Sequence, residues 1–99
     1  MNKYFKLTEL KQIGFKRVGK NCKISKSIST HNLIGSLGDN IRIDDDVQLK
    51  GKIELKSNSH IARGCTLSGG KEGIFIDEFT SLANYVQIYS SSDDYYSAS

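Results

Sequence analysis

Two histidines, one run of three carboxylates and two cysteines are the side chains most able to do chemistry, and their spacing limits each of them. His31 and His60 have the neutral-range basicity of general bases, but no third histidine exists to complete a histidine metal site. Asp44-Asp45-Asp46 has the charge of a metal or acid–base cluster, yet runs of Asp are also favoured at chain bends, where they hydrogen-bond the backbone. Cys22 and Cys65 form no CxxC pair, and neither stands with a histidine at zinc-ligand spacing. They read as packing residues in a reducing compartment.

The elements that carry these groups belong to one domain, since the chain has 99 residues. Of its hydrophobic residues, 11 are Ile and 8 are Leu, enough for a narrow aliphatic β core. No apolar run approaches the roughly 18–20 residues of a membrane span, and the start, Met1-Asn2-Lys3-Tyr4-Phe5-Lys6, lacks the apolar core of a signal peptide. A cytoplasmic chain without a membrane partner is expected. Charge is uneven: residues 1–26 carry eight basic groups against Glu9, net +7, and residues 27–99 carry six basic and ten acidic groups, net −4. With no aromatic ladder or nucleic-acid motif beside it, the basic segment reads as a solvated face, and no nucleic-acid partner is expected. A basic surface-binding module would require steeply salt-dependent binding to polyanions.

Aliphatic residues recur every six positions: Val18 and Ile24; Leu37, Ile43 and Leu49; Leu55, Ile61 and Leu67; Ile76, Leu82 and Ile88. Four residues after most of them stands another apolar or small side chain, among them Cys22, Ile41, Val47, Ser59, Cys65 and Val86. A helix would scatter this stripe, because six steps of about 100° turn the side chain about 240°. In strands both offsets are even and point one way. Polar groups interrupt each strand at Gly19-Lys20-Asn21, Gly38-Asp39-Asn40, Asp44-Asp45-Asp46 and Asp77-Glu78. Short strands bending every six residues describe a triangular solenoid with 18-residue coils. The extra residues of 29–36 and 68–75 are expected as corner loops. A short helix, capped by Thr8 and ending near Gly14, is expected to plug the first coil with Leu7, Leu10 and Ile13. His60 then points outward, His31 lies in an irregular corner, and Asp44–Asp46 form a bend.

Leu37-Gly38-Asp39-Asn40-Ile41-Arg42, Ile61-Ala62-Arg63-Gly64-Cys65-Thr66 and Val18-Gly19-Lys20-Asn21-Cys22-Lys23 resemble the repeats of the hexapeptide-repeat acyltransferases. Those repeats run aliphatic, small or acidic, two variable positions, small, variable. The resemblance covers about residues 10–96. With Leu10-Lys11-Gln12-Ile13-Gly14-Phe15 and Ser90-Ser91-Ser92-Asp93-Asp94-Tyr95, it points to the sugar O-acetyltransferase branch. It implies an all-β, left-handed parallel β-helix, generally a homotrimer, that moves an acetyl group from acetyl-CoA to a sugar hydroxyl without a metal. The expected parts are an N-terminal cap with the short helix over 1–17, coils over 18–91, and the start of an acceptor-side loop over 92–99. In the family that loop carries the catalytic histidine, which neither His31 nor His60 matches. Here it opens with carboxylates and hydroxyls, which suit hydrogen bonding to a sugar. Asn84, Tyr89, Asp93 and Asp94 are therefore the acceptor-binding candidates, and Asp93 and Asp94 the candidates for catalysis. The family continues with more coils, so the chain resembles an N-terminal portion and is expected to be inefficient alone. The alternative is a non-catalytic β-solenoid assembly module.

Overall fold

In the computed structural model, which describes residues 3–90, the six-residue rhythm becomes a left-handed parallel β-helix of four coils preceded by one helix. The first face stacks β1 (Phe15–Val18), the latter part of β3 (Ser29–Leu37), the latter part of β5 (Gln48–Leu55) and β8 (Ile74–Ile76). The second stacks β2 (Lys23–Ile24), β4 (Arg42–Ile43), β6 (His60–Ile61) and β9 (Ser81–Leu82). The third stacks the first parts of β3 and β5 with β7 (Thr66–Ser68) and β10 (Gln87–Tyr89).

The hexad aliphatics fall in register. Val18, Leu37, Leu55 and Ile76 form one inward column, Ile24, Ile43, Ile61 and Leu82 a second, and Leu49, Leu67 and Ile88 the third. Ile41, Val47 and Cys65, at the fifth hexad position, are buried among them. Cys22, expected to be buried, is half-buried because it sits in the first coil. Burial pushes its thiol pKa up, and the residue stays a packing group.

The corners need left-handed backbone, and the sequence supplies residues that tolerate it. Asn21, Asn40 and Asn58 take positive φ at one corner of successive coils. Their side chains form a ladder: Asn21 Nδ2 donates to Asn40 Oδ1 at 3.3 Å, and Asn40 Nδ2 donates to Asn58 Oδ1 at 3.0 Å. Asn40→Ala breaks both bonds and forces alanine to φ near 57°, at a cost of roughly 2 kcal/mol. Asn40→Gly loses the bonds but takes that φ freely. Urea unfolding should rank native above glycine above alanine; alanine equal to or above glycine would contradict this account of the corner.

The first insertion is not a loop. β3 runs unbroken from Ser29 to Leu37, and its surplus is absorbed as a register shift between His31 and Ile34, where Asn32 takes positive φ. The ladder to β5 resumes at Ile34, beyond the shift. In the second insertion, Ser68 ends β7 and Ile74 begins β8, so only residues 69–73 turn.

Helix α1 (Leu7–Ile13) starts two residues earlier than a Thr8 cap would place it, with Lys6 at the N-cap. The Lys6 N–H donates to Glu9 Oε1 at 2.7 Å, which satisfies a backbone donor at the helix start. Leu10 is buried beneath the first coil, Ile13 is half-buried, and Leu7, expected on the same side, is exposed. Ahead of the helix, Tyr4 bridges Ser25 in antiparallel fashion and the Phe5 N–H donates to Ile24 O at 2.9 Å. This segment covers a strand edge that would otherwise be open to pairing. At the other end Leu82 and Ile88, expected to be buried, are half-buried, because among the described residues the fourth coil has a neighbouring coil on one side only.

Candidate functional site

Along the third face, the residue after each inward aliphatic must point out. Ladder register places four such residues in one row: His31, Lys50, Ser68 and Tyr89, one from each coil. Beside this row the chain turns back to the first face through Asn32, Gly51 and Gly70, all with positive φ. Gly51 must be glycine for a second reason, since a Cβ there would lie 2.6 Å from Gly70 N. Row and corner enclose a groove of about 570 Å³ whose lining includes His31, Asn32, Ile34, Lys50, Lys52 and Lys71. It contains three lysines and no carboxylate. Ile34 gives it an apolar wall, 52% exposed. Lys52 Nζ lies 5.4 Å from the centroid of the Phe75 ring, a cation–π contact that limits where the ammonium can go. Ser90 ties the end of the row to the same corner: its N–H donates to Ser68 O at 2.9 Å and its hydroxyl to Gly69 O at 2.8 Å.

The second face carries a different cluster. Asp44 Oδ1 accepts from Arg42 Nε at 2.9 Å, and Asp44 Oδ2 lies 2.8 Å from His60 Nε2. Asp45 bonds the Ser25 hydroxyl, and Asp46 Oδ2 accepts from Arg63 Nε at 3.3 Å. The bend reading of Asp44–Asp46 holds, since Asp46 takes positive φ there. Its carboxylates also tie neighbouring coils together. Partial burial raises the Asp44 carboxyl pKa, but hydrogen bonds and charge from His60 and Arg42 outweigh it, and the net shift is down from 3.8. The stabilisation from this pairing is therefore complete above pH 3.8 and is lost as pH falls through the lower folded-state value. Asp44→Asn should lower stability at neutral pH, with the gap closing only below pH 3.8. Urea unfolding across pH 7 to about 2.5 checks this. A gap of constant size would assign the loss to something other than the carboxylate.

The sequence candidates separate in space. Tyr89 heads the row that borders the groove and is 61% exposed. Asn84 is exposed in the turn before β10, at the far edge of the third face. Asp93 and Asp94 lie outside the described residues. His31 lines the groove, whereas His60 belongs to the second face, half-buried against Asp44 and not fully solvated. Cys65 is buried with its thiol 3.0 Å from Ala83 O. Among the described residues no group of His, Cys, Asp and Glu could hold a metal ion, and no helix is long and apolar enough to cross a membrane. The sequence signal for the lysine groove is slight: Lys50 and Lys52 flank Gly51, and Lys71 follows Gly70 at the same corner one coil on.

No family model matches the chain. It is 37% identical over 98 residues to a dTDP-4-amino-4,6-dideoxy-D-glucose acyltransferase from Escherichia coli, covering 95% of this chain and 50% of the relative. Among solved structures it is similar to AntD, an N-acyltransferase from Bacillus cereus. A serine-to-threonine variant of AntD with dTDP and coenzyme A matches at TM-score 0.80 and 42% identity, over 90% of this chain and 48% of that one. AntD with dTDP and 3-hydroxybutyryl-CoA matches at TM-score 0.68 and 45% identity, over 85% and 44%. The chain thus spans about half the length of the proteins it matches. It has the β-helical coils of hexapeptide repeats, and they fit the fold of these acyltransferases.

Proposed function

We propose that this β-helix belongs to an N-acyltransferase that moves an acyl group from a coenzyme A thioester to the amino group of a dTDP-linked aminodeoxysugar. The similarity at 37% identity to an enzyme named for that acceptor carries the reading. An O-acetyltransferase must take a proton from a poorly acidic hydroxyl, a task suited to a histidine near neutrality. Of the two histidines, His60, held by a carboxylate, stands on a different face from Tyr89, and His31 lies three coils from Tyr89 in its row, roughly 14 Å along the stack. A neutral amine already presents a lone pair. Its nitrogen attacks the thioester carbonyl, the C–N bond forms and the C–S bond breaks. The surplus ammonium proton leaves to a base as the thiolate departs. A carboxylate suffices for that proton, which keeps Asp93 and Asp94 as catalytic candidates and Asn84 and Tyr89 as acceptor-binding ones. The acyl group is acetyl or a short hydroxyacyl chain. A homotrimer is the proposed assembly, supported by the large apolar side chains left outside at Phe75, Phe79 and Tyr85.

Thiol release from acetyl-CoA and 3-hydroxybutyryl-CoA tests the reading, on the chain and on any longer polypeptide that carries it. With dTDP-4-amino-4,6-dideoxyglucose the rate should exceed that with dTDP-glucose by at least about 100-fold, because an amine-binding site rejects an analogue that leaves its polar groups unpaired. Equal rates would favour the hydroxyl acceptor. No acceptor-dependent release from either polypeptide would favour the non-catalytic solenoid.

A further inference from the structure

We propose that the lysine groove at the third corner holds the diphosphate of the nucleotide-linked acceptor, with Lys50, Lys52 and Lys71 as its counter-charges. This rests on the acyltransferase reading and adds to it a place for the acceptor.

The groove volume falls within the roughly 300–1,000 Å³ usual for ligand sites. Three lysines stand in its lining and no carboxylate does. Such a site favours a compact multiple anion, and lysine is a point-charge partner for phosphate. Lys52 is partly oriented beforehand over Phe75, so less side-chain freedom is lost when an anion binds. Ile34 and the lysine stems offer apolar surface to a nucleoside, which an inorganic anion would leave unused.

Two ligands of an acyl transfer carry diphosphates, and the row selects between them. In a nucleotide sugar the diphosphate is bonded directly to the sugar. In coenzyme A the whole pantetheine arm separates it from the reacting thioester. Lys50 and Tyr89 belong to one outward row, two coils apart, so about 10 Å separates them along the stack. With the sugar on the Lys71 side of the groove, a diphosphate on Lys50 and Lys52 places the attached ring toward Tyr89 and Ser90. The same anchorage would carry a coenzyme A thioester well past them.

Calorimetric titration of the chain with dTDP, with coenzyme A and with inorganic pyrophosphate tests this. Lys50→Glu and Lys52→Glu serve as groove variants, and Lys23→Glu, an exposed lysine on the second face, as the charge control. All three changes are at exposed positions, and matching melting curves establish equal folding. Each groove variant should weaken dTDP binding at least tenfold, the double variant more, while Lys23→Glu changes it less than twofold and coenzyme A binding stays put. Pyrophosphate should bind more weakly than dTDP and respond to the same lysines. The proposal is overturned if dTDP binding is indifferent to the groove variants, or if coenzyme A is the ligand they release. In either case amine-dependent thiol release would leave the acyltransferase reading standing. A chain that binds no dTDP at all overturns the proposal and removes the support for a dTDP-linked acceptor with it.

Discussion

Ile61→Asp should abolish the cooperative unfolding transition of this chain. Ile61 is wholly buried and stands in the inward column of the second face, between Ile43 on the preceding coil and Leu82 on the next. A carboxylate placed there meets aliphatic neighbours above and below, and no cation lies in that column. Burying it unpaired costs several kcal/mol, or forces it to bind a proton at comparable cost. A domain of this size has only about 5–10 kcal/mol in total, and in a solenoid a failed coil also removes the surface on which the next one stacks. Gln87→Asp is the contrasting change. Gln87 is exposed on β10, and its replacement should move stability by no more than about 0.5 kcal/mol. Thermal melts followed by circular dichroism compare the two. If Ile61→Asp melted within a few degrees of the native chain, the inward register would be wrong.

That register was open to sequence reasoning because even offsets in strands leave no choice of side: Leu37, Ile43 and Leu49 fix the interior of one coil, and the same triplet recurs as Leu55, Ile61 and Leu67. What lies outside the prism was harder to read. A hexad pattern states which side chains point in, but pairs on the outer surface depend on how each insertion is absorbed. The register shift between His31 and Ile34 brings Ile34 beside Lys52 and leaves His31 beside Lys50, and no local pattern announces that choice. The Asp44–His60 contact joins different hexad positions on successive coils, so a same-position search misses it. The asparagine ladder was legible in principle. Asn21, Asn40 and Asn58 recur at nearly the coil length, and the first two belong to the bends Gly19-Lys20-Asn21 and Gly38-Asp39-Asn40. A charge sum along the chain conceals the groove, because Lys50, Lys52 and Lys71 belong to the segment whose net charge is negative. Leu82 and Ile88 are less buried than periodicity alone implies, since periodicity treats every coil alike and the fourth coil has a described neighbour only below it.

The destination of the acyl group tests the function most directly. dTDP-4-amino-4,6-dideoxyglucose offers an amine and hydroxyls on one ring, so acceptor binding cancels and only the chemistry of attack decides the product. The neutral amine attacks through its lone pair and sheds its proton afterwards, whereas the hydroxyl needs a base to take its proton as it attacks. With carboxylates as the proposed bases the preference should be large, at least about 100-fold and equivalent to about 2.7 kcal/mol between the two barriers. The measurement is mass spectrometry and proton NMR of the product formed from this acceptor and an acyl-CoA, by the chain or by the longer polypeptide that carries it. The account predicts a single amide, with the mass raised by one acyl group, the free amine gone and the hydroxyls untouched. An ester on a sugar hydroxyl with the amine still free would contradict it.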